Sequence, residues 1–249
     1  MASEYKDILD FNVTLGSLRS LLDVIFNEEH IDVDFLRRKV AINKFDLISD
    51  SLGFLKKLRI IDLERGFIVP KITYGELNLI RAVILNSLMK SEDQYVHYLS
   101  SFIDQFLSSK KYYEKRDVWK MLTTVRSKEG VGSSQEELRF KLNQLVRLLM
   151  EIGLAVKFRK ILIPIIDPSL IIEILTRMKK TSGSIHEITN NIGTDYLPCC
   201  DVHGKPYDCF SRALESLEKM GFVKLGYRSD AGMDVIIGGK RCNFMEVLS

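Results

Sequence analysis

The residues with the most scope for metal chemistry gather near the C-terminal end: Cys199, Cys200, His203 and Cys209. Structural zinc takes four N or S ligands in a tetrahedron, with cysteine pairs commonly two to four residues apart. Here the first pair is adjacent, the spacing is CC-x2-H-x5-C, and Cys242 is a distant fifth candidate. Free cysteine is also among the most buried residue types, so the expectation is no zinc, no other cofactor and at least two buried thiols. The four histidines, His30, His97, His186 and His203, fall in different predicted elements with no nucleophile motif beside them. The GVGSS run at 130–134 lacks the lysine and the preceding strand of a phosphate loop. Glu136 and Glu137 sit where carboxylates stabilise the positive end of a helix dipole. A nuclease site of scattered Asp, Glu and Lys needs a strand to carry it, and none is evident. The chain is expected to be non-catalytic.

Cations offer more. Lys157, Arg159 and Lys160 surround one predicted tight turn, where long side chains reach outward. Gln135, Arg139 and Lys141 lie on the helix predicted before that turn. Lys110, Lys111, Arg116 and Lys120 interleave with Tyr112, Tyr113 and Trp119. Such a mixture suits phosphates and stacking on bases; the plainer reading, adopted for the aromatics, packs Tyr113 and Trp119 into a core. Net charge is only +3, too small to identify a nucleic-acid binder by itself. Its distribution says more. Residues 1–73 carry 11 Lys/Arg against 12 Asp/Glu, residues 74–167 carry 15 against 11, and residues 168–249 carry 10 against 10. The excess positive charge sits in the middle third.

The elements that must hold these residues repeat. Three junctions read almost alike: LGFLKKLRIIDLERGFIVP (52–70), LVRLLMEIGLAVKFRKILIPI (145–165) and LESLEKMGFVKLGYRSDAGMDVII (214–237). Each has leucines at helical spacing, a break at Leu58-Arg59, Gly153 or Gly221, then an apolar strand, a charged turn and a second apolar strand. Recurrence at roughly 80 to 90 residues points to a repeated domain. Before the first junction the pattern predicts a helix from Leu15 to Phe26 capped by Thr14, a short helix capped by Asp32 and a third opened by Asn43. The middle third predicts helices from Thr73 to Lys90, Asp93 to Leu107, Glu114 to Val125 and Gln135 to Ile152, the last capped by Ser134. After Asp167-Pro168 follow a helix to Lys180, a short SIHEITNNI helix, an irregular stretch and a helix from Asp208 to Met220. The final hairpin is expected to turn at Asp230-Ala231-Gly232, with a third strand from Arg241 to Val247 pairing with it.

A helix that runs into a short hairpin resembles the second half of a winged helix-turn-helix domain, recognition helix plus wing. The implied fold is mainly α with small β-hairpins: three tandem winged-helix-like modules at 1–73, 74–167 and 168–249. The middle module carries extra helices and the third a long loop before its last helix. The resemblance implies that the helix before each wing can enter a DNA major groove. Candidate contacts there are Lys44 and Lys56 in the first module, Arg147 beside those named above in the second, and Arg212, Glu215 and Lys219 in the third. Fold alone does not fix function. The expected activity is double-stranded DNA binding, in transcriptional control or as the recognition part of a restriction or defence system. The alternative is an assembly subunit that holds a protein partner in a chromosome-organising complex; a homodimer fits either. No run of about 18 apolar residues suggests a membrane span, MASEYKDILDF lacks the apolar stretch of a secretory signal, and the cysteine usage fits a reducing compartment. A cytoplasmic, nucleoid-associated or nuclear location is therefore expected.

Overall fold

Thr14 opens the first helix because its hydroxyl accepts from the Ser17 N–H at 3.0 Å while Ser17 Oγ accepts from the Thr14 N–H. That helix, α1 (Leu15–Asn27), buries Leu18, Leu21, Leu22 and Ile25, one stripe at three- and four-residue spacing. The computed structural model describes residues 6–28, 31–39, 45–109, 111–132, 134–201 and 203–248. Asn43, expected to open the third helix, and Lys44, an expected DNA contact, lie outside them. Asp32 caps α2 (Val33–Lys39) by accepting from the Phe35 N–H, and α3 (Phe45–Lys57) leads to the hairpin β1 (Ile61–Glu64) and β2 (Phe67–Pro70). Its two turn residues, Arg65 and Gly66, both have positive φ, 52° and 88°, the turn whose twist matches that of paired strands. The segment before α2 joins them: Asp32 bridges to Phe67, and the Ile68 N–H donates to Ile31 O at 2.8 Å.

The middle third follows the same path with one helix in front. A 3-10 turn, Tyr74–Leu79, leads into α4 (Ile80–Met89), where a single α-helix from Thr73 was expected. Then come α5 (Gln94–Ser109), β3 (Tyr113–Glu114), α6 (Lys115–Lys128), α7 (Gln135–Glu151), β4 (Ala155–Phe158) and β5 (Ile161–Pro164). The strands pair antiparallel in the order β3-β5-β4. Tyr113 is buried, stacked on Phe106 with centroids 5.0 Å apart, and its hydroxyl donates to Phe106 O. Trp119 packs half-buried against the core.

The last third holds α8 (Pro168–Arg177), β6 (Ser182–Ser184), α9 (Ile185–Asp195), α10 (Asp208–Lys219), β7 (Val223–Gly226), β8 (Val235–Ile237), β9 (Lys240–Cys242) and β10 (Phe244–Val247). Here the sheet order is β6-β10-β7, and β8-β9 forms a separate two-stranded ribbon. This corrects the expected hairpin. The partner of β7 is β10, in register Val223↔Val247 to Gly226↔Phe244, rather than Val235–Ile237. Local turn chemistry explains the difference: Gly238 and Gly239 both have positive φ and close β8 onto β9. Asn243 then ties off the wide loop, donating to Arg228 O while accepting from the Arg228 N–H, each at 2.8 Å. The short strands β3 and β6 had no separate sequence signal, since two or three residues are too few for a period-2 pattern.

Helices α3, α7 and α10 all lead into their sheets through one backbone device. The second residue after each takes positive φ, at Arg59 (55°), Gly153 (85°) and Gly221 (79°). The next N–H donates back to a carbonyl five residues earlier: Ile60 to Leu55, Leu154 to Leu149, and Phe222 to Leu217. This is a Schellman cap, which glycine meets without steric strain. Arg59 is the exception, a non-glycine residue in the left-handed region at the break read from the sequence at Leu58-Arg59.

An N-terminal strap binds the first third to the middle. Ile8, Leu9, Phe11 and Val13 are buried, and between them runs an ionic cluster. Asp7 pairs with Arg126 of α6 through Oδ2 and with Lys141 of α7 at 3.3 Å; it also accepts from the Tyr98 hydroxyl at 2.8 Å. Lys141 reaches Asp10 at 3.2 Å. Burial first, then the Asp7 charge, pushes the Tyr98 hydroxyl pKa well up, so it stays a donor. Arg81 of α4 makes the other bridge, to Asp167 at 3.0 Å and to Glu173 of α8.

Candidate nucleic-acid interface

Helix α7 shows two faces. Leu138, Lys141, Leu142, Leu145 and Leu149 are buried. Gln135, Arg139, Asn143 and Met150 are exposed, and with the half-buried Val146 and Arg147 they form one outward stripe, about 22 Å long at 1.5 Å per residue. Beside its C-terminal half the β4-β5 hairpin stands up and leaves a groove of about 510 Å³. Val118, Val146, Met150, Ile161 and Leu162 give it apolar walls, and the cations lining it are Lys115, Arg147, Lys157, Arg159 and Lys160. No carboxylate is among its lining residues. A neighbouring hollow of about 440 Å³ shares Lys115 and Asn143 and adds Arg116, Gln135 and Arg139.

Among the described residues, no salt bridge is made by Arg116, Arg139, Lys157, Arg159 or Lys160. Lys115 Nζ donates to Asn143 Oδ1 at 3.2 Å. Arg147 is held from behind: its Nη2 donates to Asn12 Oδ1 at 2.6 Å and to Val13 O at 2.9 Å. At the hairpin tip Arg159 has a φ of 54° and its guanidinium lies 5.4 Å from the Phe158 ring centroid. The arrangement is a concentration of unneutralised positive charge with donors in several directions, which attracts a polyanion. Nothing in it pairs a nucleophile with a base.

Seven of the eleven contacts expected in the middle third come together here: Arg116, Gln135, Arg139, Arg147, Lys157, Arg159 and Lys160 line the two hollows. Lys120 is exposed on α6 but lines neither. Lys111 is exposed elsewhere, in a hollow shared with Asp201 and Asp208. Lys110 lies outside the described residues. Lys141 is corrected outright: it is buried, its charge spent on Asp7 and Asp10. The error was one of helix phase, because Lys141 falls between Leu138 and Leu142 on the inward face. Asn143 and Lys115 were missed; Asn143 was legible as the residue four beyond Arg139, whereas Lys115 is brought in only by the packing of α6 on α7.

The corresponding place in the last third is a cleft of about 580 Å³ between α10, the 203–206 loop and the β8-β9 ribbon. Its lining mixes His186, His203, Lys205 and Arg212 with Asp208, Glu215 and Asp234. Its lining carries three carboxylates against Lys205 and Arg212, and two of those carboxylates, Glu215 and Asp234, are paired. Glu215 meets Lys219 at 2.6 Å, Glu218 meets Lys240 at 2.8 Å, and Asp234 pairs with Arg241. In the first third Lys56 is exposed and the hairpin carries Glu64, which pairs with Lys71 at 2.7 Å.

The cysteines do not assemble into a metal centre. Among the described residues no group of three His, Cys, Asp or Glu side chains is placed to hold an ion. Cys199, Cys209 and Cys242 are buried, as expected for at least two. Burial pushes the Cys209 thiol up to about 11 and the Cys199 thiol well above the usual range. Cys200 is half-exposed, and a hydrogen bond from Cys199 brings its thiol down to about 7. Among the described residues no helix is long and apolar enough to cross a membrane. Compared with family models, curated proteins and solved structures, the chain matches none.

Proposed function

We propose that this chain is a non-catalytic double-stranded DNA-binding protein built from three tandem winged-helix-like modules, with the middle one making the main contact. The single observation that carries the reading is the groove between α7 and β4-β5, lined by five cations and no carboxylate. Support for the fold comes from the path helix, strand, helix, helix, hairpin, and from the strand orders β3-β5-β4 and β6-β10-β7, in which the early strand pairs with the returning one. The stripe on α7 offers Gln135, Arg139 and Asn143, side chains able to bond base edges in a major groove. Transcriptional control and target recognition in a defence system are both compatible settings.

Fluorescence anisotropy with a labelled duplex, repeated over a salt series, tests this. Each phosphate neutralised contributes about 0.9 to the slope of log affinity against log salt, so three to five contacts give a slope of about −3 to −5. No binding at low salt, or binding with no salt dependence, contradicts the proposal.

A further inference from the structure

The groove between α7 and the β4-β5 hairpin offers more than a row of phosphates can use. A phosphate backbone engages cations on a ridge and brings little that is apolar to the base of a hollow. Here Val118 and Leu162, 1% and 4% exposed, lie at the base, and Val146, Met150 and Ile161 stand more open in the walls. Lys157 is the cross-strand partner of Leu162, so a cation and an apolar side chain share one face of the hairpin. The hollow of about 510 Å³ falls within the roughly 300–1,000 Å³ of sites that take small molecules.

Cations flank that apolar lining from both sides. Lys115 of α6 and Arg147 of α7 belong to the helical wall, and Lys157, Arg159 and Lys160 to the hairpin. Arg147 is fixed in advance. Its Nη2 donates to Asn12 Oδ1 and to Val13 O, while Nε and Nη1 make no hydrogen bond among the described residues. A guanidinium held in this way presents its remaining N–H groups at fixed angles, which suits phosphate oxygens. One phosphate monoester carries only about −2. Five cations with no carboxylate among them therefore exceed what a single phosphate needs and match a polyphosphate.

We infer that this groove binds a free nucleoside polyphosphate, with its base against Val146, Met150 and Ile161 and its phosphates among Arg147, Lys115 and the hairpin cations. The occupant follows from the lining. A small inorganic anion leaves the apolar walls wet, and an apolar molecule leaves five cations unanswered. A nucleotide joins a flat, weakly polar ring to a run of negative charge and meets both needs in one molecule. Where the duplex reading holds, nucleotide and duplex compete for the same cations, so the nucleotide regulates the site. Nucleotide binding itself does not rest on that reading.

Isothermal titration calorimetry on the full chain, without nucleic acid or divalent cations, compares ATP, tripolyphosphate and adenosine. ATP is expected to bind at one site per chain with a Kd of about 10–100 μM. Tripolyphosphate, similar in charge but lacking the base, and adenosine, lacking the charge, are each expected to bind at least about tenfold more weakly. Met150→Glu, at a side chain 42% exposed, puts a carboxylate into the lining and is expected to weaken ATP at least about tenfold. Arg147→Met is expected to do the same; should circular dichroism show it to be unfolded, Met150→Glu carries the test alone. No ATP binding at millimolar concentration overturns the inference. So does tripolyphosphate as tight as ATP, because the apolar walls then contribute nothing, or ATP binding unchanged in the folded variants, because the site then lies elsewhere. With no duplex present, failure here leaves the DNA-binding proposal standing, and failure of the anisotropy titration leaves this one.

Discussion

The groove beside α7 and the cleft beside α10 occupy the same place in the same sequence of elements, yet one collects positive charge and the other cancels it. Both are walled by a long helix and a strand pair. In the middle third the hairpin is a two-residue turn, and Lys157, Arg159 and Lys160 face a groove whose lining holds no carboxylate. In the last third the wide loop folds a second ribbon toward α10. Gly238 is pressed against Glu215, where an added Cβ would lie 2.9 Å from the carboxylate carbon. The ribbon also carries Lys240 and Arg241, whose partners are Glu218 and Asp234. The difference teaches that the balance of charge, five cations and no carboxylate against two cations and three carboxylates, separates the two surfaces more than topology does.

The sharpest break of that comparison concerns the cations that the middle module does neutralise. Asp7 removes Arg126 and Lys141 from the electrostatic surface, and it does so from within. Asp7→Asn leaves two cations buried with one fewer counter-charge, at a cost of about 3–5 kcal/mol in urea unfolding. Glu215→Gln, which breaks an exposed pair in the last module, costs less than about 1 kcal/mol. Similar losses from the two would erase the distinction between buried and surface pairing drawn here.

Lys141→Met sharpens it further. If the charge of Lys141 is committed to Asp7 and Asp10, its removal changes the salt slope of duplex binding by much less than the 0.9 per phosphate of a true contact. A drop of a full unit means that the strap opens when DNA binds.

Thiol chemistry offers a smaller effect in the last module. With its pKa about 7, Cys200 is about half thiolate at neutral pH, so iodoacetamide labels it about tenfold faster than an ordinary cysteine. Its rate rises with pH through about 7. Cys199 and Cys209, buried and shifted up, stay unlabelled until the chain unfolds. Peptide mapping that finds Cys209 labelled alongside Cys200 contradicts the placement of the loop between α9 and α10.

Smallest is a pH effect at the Arg81–Asp167 pair. Burial works to raise the Asp167 pKa, but the hydrogen bonds from Ser169 and Arg81 outweigh it, leaving the folded value below 3.8. A depressed carboxylate contributes stability that is present above its unfolded pKa and lost as pH falls through the folded one. Acid unfolding is therefore steeper below about pH 4 in the wild type than in Asp167→Asn. Equal slopes contradict this.

Much of the architecture was legible because it is written in local chemistry. Thr14, Asp32 and Ser134 cap the helices they were expected to cap, since capping depends on the next three residues alone. The tight hairpins at Arg65-Gly66 and Arg159-Lys160 followed from alternation around a charged turn. What was not legible depends on contacts between distant residues. Nothing near Lys141 says that Asp7, 134 residues away, will claim it, although its place between two buried leucines was a warning. The pairing of β7 with β10 across the ribbon is equally non-local. The clustering of Lys115 with the hairpin cations needs α6 and α7 in place, and no spacing along the chain encodes it.

The central claim is that the middle groove, and not its counterpart, holds the duplex. Salt-dependent anisotropy on two matched variants tests it most directly: Lys157→Glu with Arg159→Glu and Lys160→Glu, against Lys205→Glu with Arg212→Glu and Lys219→Glu. The account predicts that the first triple weakens binding to every duplex and flattens the salt slope by about two to three units, at about 0.9 per contact, while the second flattens it by less than one. Equal flattening by the two, or the larger loss from the second, contradicts it.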